Sequence, residues 1–268
     1  MKELSLNELK EIELETLKMF HAFCVEHNIR YFLAYGTLLG AIRYKKFIPW
    51  DDDVDLLIPR EDYDRLLTLF QDNEKYKLYS FERNPDYLFP FAKLCDMTTR
   101  KVEMEYPNPK VELGVEIDLF PLDNFDNDIE TAKQEAERIK KYMRYLGYTK
   151  LDKPHTKNPF KFLAWSVILA YHKLHGGGYY IKKILKECRK EEQKGSAYVG
   201  AKAWCIYGGR GVIPAEAFAD TVELEFEGEK FFAPKGYDTY LTCLYGDYLP
   251  EPPPEKRKTH HFFTAYRL

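Results

Sequence analysis

The chain reads as an α+β fold, a central mixed β-sheet flanked by helices and interrupted by a basic helical insert. Three observations predict it. Short apolar runs of strand length, at residues 30–35, 54–58, 76–81, 91–96 and 115–120, alternate with longer segments of helical periodicity. With 45% hydrophobic and 16% aromatic residues, a chain of 268 can bury a full core and is not disordered. Charge is unevenly placed: residues 133–190 hold 15 Lys or Arg against 4 Asp or Glu, in a chain whose net charge is only -3. The expected organisation is a core at 1–126, a basic helical insert at 127–200, and a return to the core at 201–268 with a hairpin and tail.

In order along the chain, Ser5 and Glu8 form a capping box that opens a helix carrying Leu6, Leu9, Leu17, Phe20 and Cys24 toward a core. The strand at 30–35 ends at Gly36-Thr37, and residues 38–43 then have a helical pattern. Glycine there lets backbone amides approach a phosphate, and a helix N-terminus behind it favours an anion. Next comes Phe47-Ile48-Pro49-Trp50-Asp51-Asp52-Asp53-Val54-Asp55-Leu56-Leu57-Ile58. Four carboxylates in five residues repel one another unless a cation or ligand compensates them. Read as an extended strand, Asp51, Asp53 and Asp55 project from one face and Asp52 from the other. Such a face of hard oxygen donors suits magnesium, with manganese as a substitute.

Beyond it, 61–71 reads as a helix, 76–81, 91–96 and 115–120 as strands, and 127–146 as a charged helix. Residues 160–174 are apolar but shorter than the roughly 20 residues a membrane-spanning helix needs. They are read either as a packing segment or as an interfacial patch for anionic lipid, aided by Lys157, Lys161, Lys182, Lys183 and Lys186. Gly176-Gly177-Gly178 is a hinge between helices and lacks the Gly-Lys-Ser/Thr ending of a P-loop. A hairpin is expected at 222–232 around Glu227-Gly228, and residues 250–254, rich in proline, form a stiff exposed tether. Cys24, Cys95, Cys188, Cys205 and Cys243 are odd in number and widely spaced, which fits reduced thiols. With no apolar leader at the N-terminus, a cytoplasmic location is expected, with membrane association open.

Strand, Gly-Thr, short helix, loop, then Asp-x-Asp on a second strand resembles the nucleotidyltransferase fold of polymerase-beta-like enzymes. More closely, Gly36-Thr37-Leu38-Leu39-Gly40, Arg43 and Ile48-Pro49-Trp50-Asp51-Asp52-Asp53-Val54-Asp55 resemble the signature of the LicD family, whose relatives include the fukutin group. Glu116-Ile117-Asp118-Leu119-Phe120-Pro121-Leu122-Asp123 is similar to its second block, and the resemblance spans most of the chain from about residue 29. It implies a magnesium-dependent transferase that moves phosphocholine from CDP-choline to a cell-surface glycan or a lipid-linked, teichoic acid-like precursor, with no nucleic-acid partner. Other CDP-linked donors (ribitol or glycerol phosphate), nucleotidyl transfer with pyrophosphate release, and a non-catalytic nucleotide or polyanion binder are the rival readings.

The expected catalytic residues are Asp53, Asp55 and Asp118, and the expected metal ligands are Asp51, Asp53, Asp55 and Asp118. Asp118 is open between metal ligand, general base and a strand-end cap; Glu116 shares its strand face, and Asp123 is read as a turn or capping residue. Gly36, Thr37, Arg43, Lys93, His260 and His261 are the expected substrate-binding residues: backbone and guanidinium contacts to phosphate, a lysine facing the nucleotide, and a tail that either folds back or stays solvated. Choline would call for an aromatic cage, for which Trp50 is the candidate nearest the acidic run.

Overall fold

The computed structural model describes residues 2–103, 110–190, 195–259 and 263–268. In chain order its elements are β1 (Lys2–Glu3), α1 (Leu6–Glu26), β2 (Phe32–Leu33), α2 (Tyr35–Tyr44), β3 (Asp55–Pro59), α3 (Arg60–Leu69), β4 (Tyr76–Tyr79), β5 (Ala92–Glu103), β6 (Leu113–Asn124), α4 (Ile129–Lys150), α5 (Pro159–His175), α6 (Gly177–Cys188), β7 (Tyr198–Gly200), β8 (Ile213–Pro214), β9 (Thr221–Phe226), β10 (Glu229–Pro234), α7 (Tyr237–Tyr245) and β11 (Phe263–Arg267). The main sheet runs β1-β11-β5-β6-β3-β2, with β4 beside β5 and with β7 and β8 extending from β6. β3 and β6 are parallel while the other pairs are antiparallel, so this is the mixed sheet of an α+β fold.

Local chemistry explains most boundaries. The Ser5 hydroxyl accepts from the Glu8 amide and the Glu8 carboxylate accepts from the Ser5 amide, closing the expected capping box of α1. The hairpin of β9 and β10 turns at Glu227 and Gly228, both at positive φ, as a two-residue turn between twisted strands requires. Its tip is fixed to the active half of the molecule, since the Glu227 amide donates to the Lys45 carbonyl and its carboxylate accepts from the Phe47 amide. Gly176, at φ +76°, ends α5 and starts α6, which is the expected hinge.

Two elements exceed their expected length. β5 and β6 each run for twelve residues, because the far half of β5 pairs with β11: Phe263 lies opposite Glu103 and Arg267 opposite Thr99. The end of the chain is therefore a strand in the main sheet rather than a solvated tail. One continuous core joins Leu17 and Phe20 of α1, Leu56 and Leu57 of β3 and Leu119 of β6 to Ile139 of α4 and Ile184 of α6. Within residues 127–200, α4 and α6 thus bury their apolar faces in that core, packed chiefly against each other, while α5 buries only Leu169 and His172.

Asp123 does not cap a turn. It lies within β6, buried, and receives two hydrogen bonds from Arg60, Nε to Oδ1 at 2.7 Å and Nη2 to Oδ2 at 3.0 Å. This pair locks the start of α3 to the sheet; burial pulls the Arg60 pKa down, but the charge and hydrogen bonds of Asp123 lead the contributions that together overcome it and raise it. Removing one partner strands the other charge in the core. Arg60→Met is therefore expected to lower unfolding free energy by about 3 kcal/mol in urea titration, and the double variant Arg60→Met/Asp123→Leu to regain most of it.

Candidate active site

The acidic run is not an extended strand, because β3 begins only at Asp55 and residues 51–54 form a loop. The alternation expected of Asp51 to Asp55 therefore does not hold. Instead Asp51, Asp52 and Asp53 gather on one side, each with a carboxylate oxygen within 4.8 Å of the others. Asp52, expected on the opposite face, belongs to the cluster and is buried.

The Gly-Thr pair also moves. α2 starts at Tyr35, so Gly36 and Thr37 are its first turn rather than a loop before it. A methyl group placed on Gly36 would meet Asp51 Oδ2 at 2.4 Å. Glycine is required at that spot so that a carboxylate can approach the helix N-terminus, where the dipole favours negative charge. The Thr37 hydroxyl accepts from the Asp55 amide at 2.8 Å, which fixes the entry into β3 relative to α2.

Register brings the remaining groups together. Asp55 on β3 lies opposite Asp118 on β6, and Asp118 lies opposite Lys93 on β5, so the three form a row across three adjacent strands. Lys93 Nζ donates to Asp118 Oδ1 at 2.6 Å and to Glu116 Oε1 at 2.9 Å, and Lys101 Nζ donates to the same Glu116 oxygen at 2.5 Å. Lys93 is thus held by carboxylates in the interior, not displayed toward a nucleotide. Burial and the charges of Asp53, Asp118 and Asp51 push the Asp55 carboxyl well above its usual range. Burial raises Asp118 as well, with Lys93 opposing it, whereas for Glu116 the two lysines overcome burial and bring the carboxyl down to about 2. A row of acids in which one is kept ionised and its neighbours resist ionisation is an electrostatic arrangement suited to proton transfer.

Glu13 was not foreseen from the sequence. It comes from α1, is 3% exposed, and its Oε2 has no hydrogen-bond partner among the described residues. Burial and the charge of Asp53 push its carboxyl well above the usual range. Within α1 nothing separates Glu13 from an ordinary charged residue, save that it recurs with Leu9, Leu17 and Phe20 on the buried face.

Hard oxygens in this density fit a divalent cation: the loop carboxylates are mutually close, Asp55 resists ionisation in their company, and Glu13 adds an unbonded buried oxygen. Asp51, Asp53 and Asp55 are the residues that would hold magnesium or manganese, with Asp118 next to Asp55 on the neighbouring strand. Arg43 is committed elsewhere, because its Nη2 donates to the carbonyls of Tyr248 and Pro250 and ties α2 to the segment after α7. Trp50 carries the Arg257 guanidinium over its ring at 5.7 Å, so that face already holds a cation. His260 and His261 lie outside the described residues.

Beyond Lys101 opens a cavity of about 320 Å³, lined among the described residues by Tyr87, Phe89, Lys101, Glu103, Lys150 and Gly177, among others. Its wall reaches Asp118 through the chain Lys101, Glu116, Lys93. Phe89 stands between Lys150 Nζ, 4.0 Å from its ring centre, and Lys93 Nζ, 5.3 Å away. Burial lowers the Lys150 ammonium to about 8 against a partial offset from Glu103. Sequence gave no sign of this cavity, since its lining comes from five separated segments. A space of this size matches a small-molecule site, and its lysines favour an anionic or polyhydroxylated occupant.

Residues 28–146, which contain Gly36, the acidic loop, Lys93 and Asp118, match the family described as LicD/FKTN/FKRP, nucleotidyltransferase domain. The chain is 32% identical to the lipopolysaccharide cholinephosphotransferase LicD of Haemophilus influenzae, over all of both chains. It is also 31% identical to an uncharacterized protein of Rickettsia typhi, over 47% of this chain and 42% of that one. A nucleotidyltransferase domain covering the carboxylate row, within an end-to-end match to a LicD protein, means that this chain belongs to the LicD family.

Proposed function

We propose that the protein transfers phosphocholine from CDP-choline to a hydroxyl of a cell-surface glycan or its lipid-linked precursor, releasing CMP. The observation that carries this reading is the row Asp55, Asp118, Lys93, with the acidic loop at one end and the cavity at the other. The full-length similarity to a relative named for cholinephosphate transfer to lipopolysaccharide supports the head group and the glycan class.

In this reading Asp53 and Asp55 would hold the divalent cation that compensates the donor diphosphate, and the glycan hydroxyl enters from the side of the cavity. The hydroxyl oxygen attacks the distal phosphorus, the bond from that phosphorus to the CMP oxygen breaks, and CMP departs with the electron pair. Asp118 takes the hydroxyl proton; burial raises its basicity, and Lys93 orients the carboxylate by its 2.6 Å hydrogen bond. Bound magnesium or manganese supplies neutralisation of the diphosphate charge, the largest electrostatic requirement of phosphoryl transfer. Asp51, packed against Gly36, keeps the loop at the N-terminus of α2 and so fixes where Asp53 points the diphosphate.

The test is CMP release from CDP-choline with magnesium and a lipid-linked glycan acceptor, such as a teichoic acid precursor. Release that requires both acceptor and metal is the expected result. Release from CDP-ribitol or CDP-glycerol but not from CDP-choline would replace the head group, and pyrophosphate from a nucleoside triphosphate would overturn the reaction class.

A further inference from the structure

Helix α5 is apolar along most of its length yet packs chiefly against α4 and α6. Its inner side is settled: the His172 ring stacks on Tyr145 and shares a 2.6 Å hydrogen bond with the Tyr180 hydroxyl, Leu169 is buried, and Trp165 meets the edge of Tyr148. The opposite side is not covered by the chain. Phe160, Leu163, Val167, Tyr171 and Leu174 are between 57% and 87% exposed. At 3.6 residues per turn, these five fall within roughly a quarter of the helix circumference, a single stripe facing away from α4.

The charge around that stripe is one-sided. From Arg138 to Lys186 the chain carries twelve Lys or Arg and a single acid, Asp152. Lys153, Lys157, Lys161, Lys173 and Lys182 are exposed around α5. No helix among the described residues is long and apolar enough to cross a membrane. At 17 residues, α5 is about 25 Å long, which suits a helix lying in the plane of a bilayer surface.

We propose that α5 is a membrane-docking helix, whose apolar stripe enters the headgroup region of an anionic bilayer while the surrounding lysines meet the lipid phosphates. Charge complementarity selects this occupant. A second copy would bring the same lysines against one another, whereas an anionic surface neutralises them. The placement also has a consequence for the site, because Lys173, Gly176 and Gly177, where α5 passes into α6, line the cavity whose wall residue Lys101 is ion-paired through Glu116 and Lys93 to Asp118. A lipid-anchored acceptor then reaches the cavity without leaving the surface on which the protein sits.

The experiment is sedimentation of the full chain with vesicles of equal parts phosphatidylglycerol and phosphatidylcholine, and with vesicles of phosphatidylcholine alone, in the absence of any nucleotide. Strong binding to the anionic vesicles and at least about tenfold weaker binding to the neutral ones is the expected pattern. Leu163→Glu/Val167→Glu is expected to lower binding to the anionic vesicles by at least about tenfold, and Lys157→Glu/Lys161→Glu by a similar factor that added salt reproduces in the wild type. All four side chains are exposed, so thermal melts of both variants should overlay the wild type. No binding by the wild type, or binding unchanged in the stripe variant, would overturn the proposal. So would a wild-type dimer in analytical ultracentrifugation that the stripe variant dissolves without any loss of lipid. Because no donor or acceptor is present, failure of the transferase reading would leave this result untouched.

Discussion

Asp55→Asn is expected to abolish transfer while making the fold more stable. Asp55 is half-buried at the start of β3 beside Asp53, Asp118 and Asp51, and its desolvation together with those three charges disfavours its ionised form. Asparagine keeps the shape and removes one anion from the row. Without metal, the melting temperature of the variant should rise at neutral pH, by an amount equivalent to about 1 kcal/mol or more. The gain has a sign fixed by linkage: an acid whose folded pKa is raised costs stability as pH climbs from its unfolded value through the folded one, so the difference should vanish on acidification toward about pH 4. CMP release should fall at least about a thousandfold, since the same charge belongs to the set that would hold the divalent cation compensating the donor diphosphate. Activity within tenfold of wild type would remove Asp55 from the mechanism, and a lower melting temperature would contradict the electrostatic account of the row. Magnesium should reverse the order of stability. It raises the melting temperature of the wild type by mass action, by about 2.7 kcal/mol at one hundred times its dissociation constant, and does far less for Asp55→Asn.

Lys93→Met has the opposite character, losing both fold stability and activity. Lys93 is 5% exposed, and its ammonium bonds Asp118 and Glu116 at once. Glu116 keeps Lys101 when Lys93 is gone, but Asp118 loses a 2.6 Å ionic hydrogen bond in a place where water replaces it poorly. Leaving the Asp118 carboxylate without its cation costs about 3 kcal/mol, the lower end of the range for a buried pair, because its side chain is 18% exposed. Urea unfolding should show this loss at pH 7. The double variant Lys93→Met/Asp118→Asn should recover most of the stability and none of the transfer, a non-additivity that marks the pair as coupled. If Lys93→Met alone kept full activity, Lys93 would have no part in orienting Asp118.

Much of this could be read from the chain. The capping box at Ser5 and Glu8, the Glu227-Gly228 hairpin and the Gly176 hinge follow from local rules, because each depends on a few adjacent residues with narrow conformational preferences. The acidic run and the run around Asp118 were legible as chemistry for a related reason: a carboxylate among apolar residues is costly wherever the chain puts it. Misreadings arose where distance along the chain decides the outcome. Asp51 to Asp53 read as alternating strand residues, but the turn in which the Asp51 amide donates to the Ile48 carbonyl and the packing of Asp51 on Gly36 hold them in a loop. Arg43 looked like a phosphate clamp, and it answers to carbonyls some two hundred residues away.

The sequence by itself determined the α+β class, through short-range periodicity, and the family, through the identity of the residues in its motifs. Only the tertiary structure decided which groups meet. Lys93, Asp118 and Asp55 share a row because two long strands and one short one pair in a particular register, and Glu13 joins them because α1 packs its buried face against that sheet. The cavity beyond Lys101, the strand at the chain's end and the outward stripe of α5 are likewise products of long-range packing. Such contacts join segments far apart in the chain, and no local preference of either partner encodes the other's position.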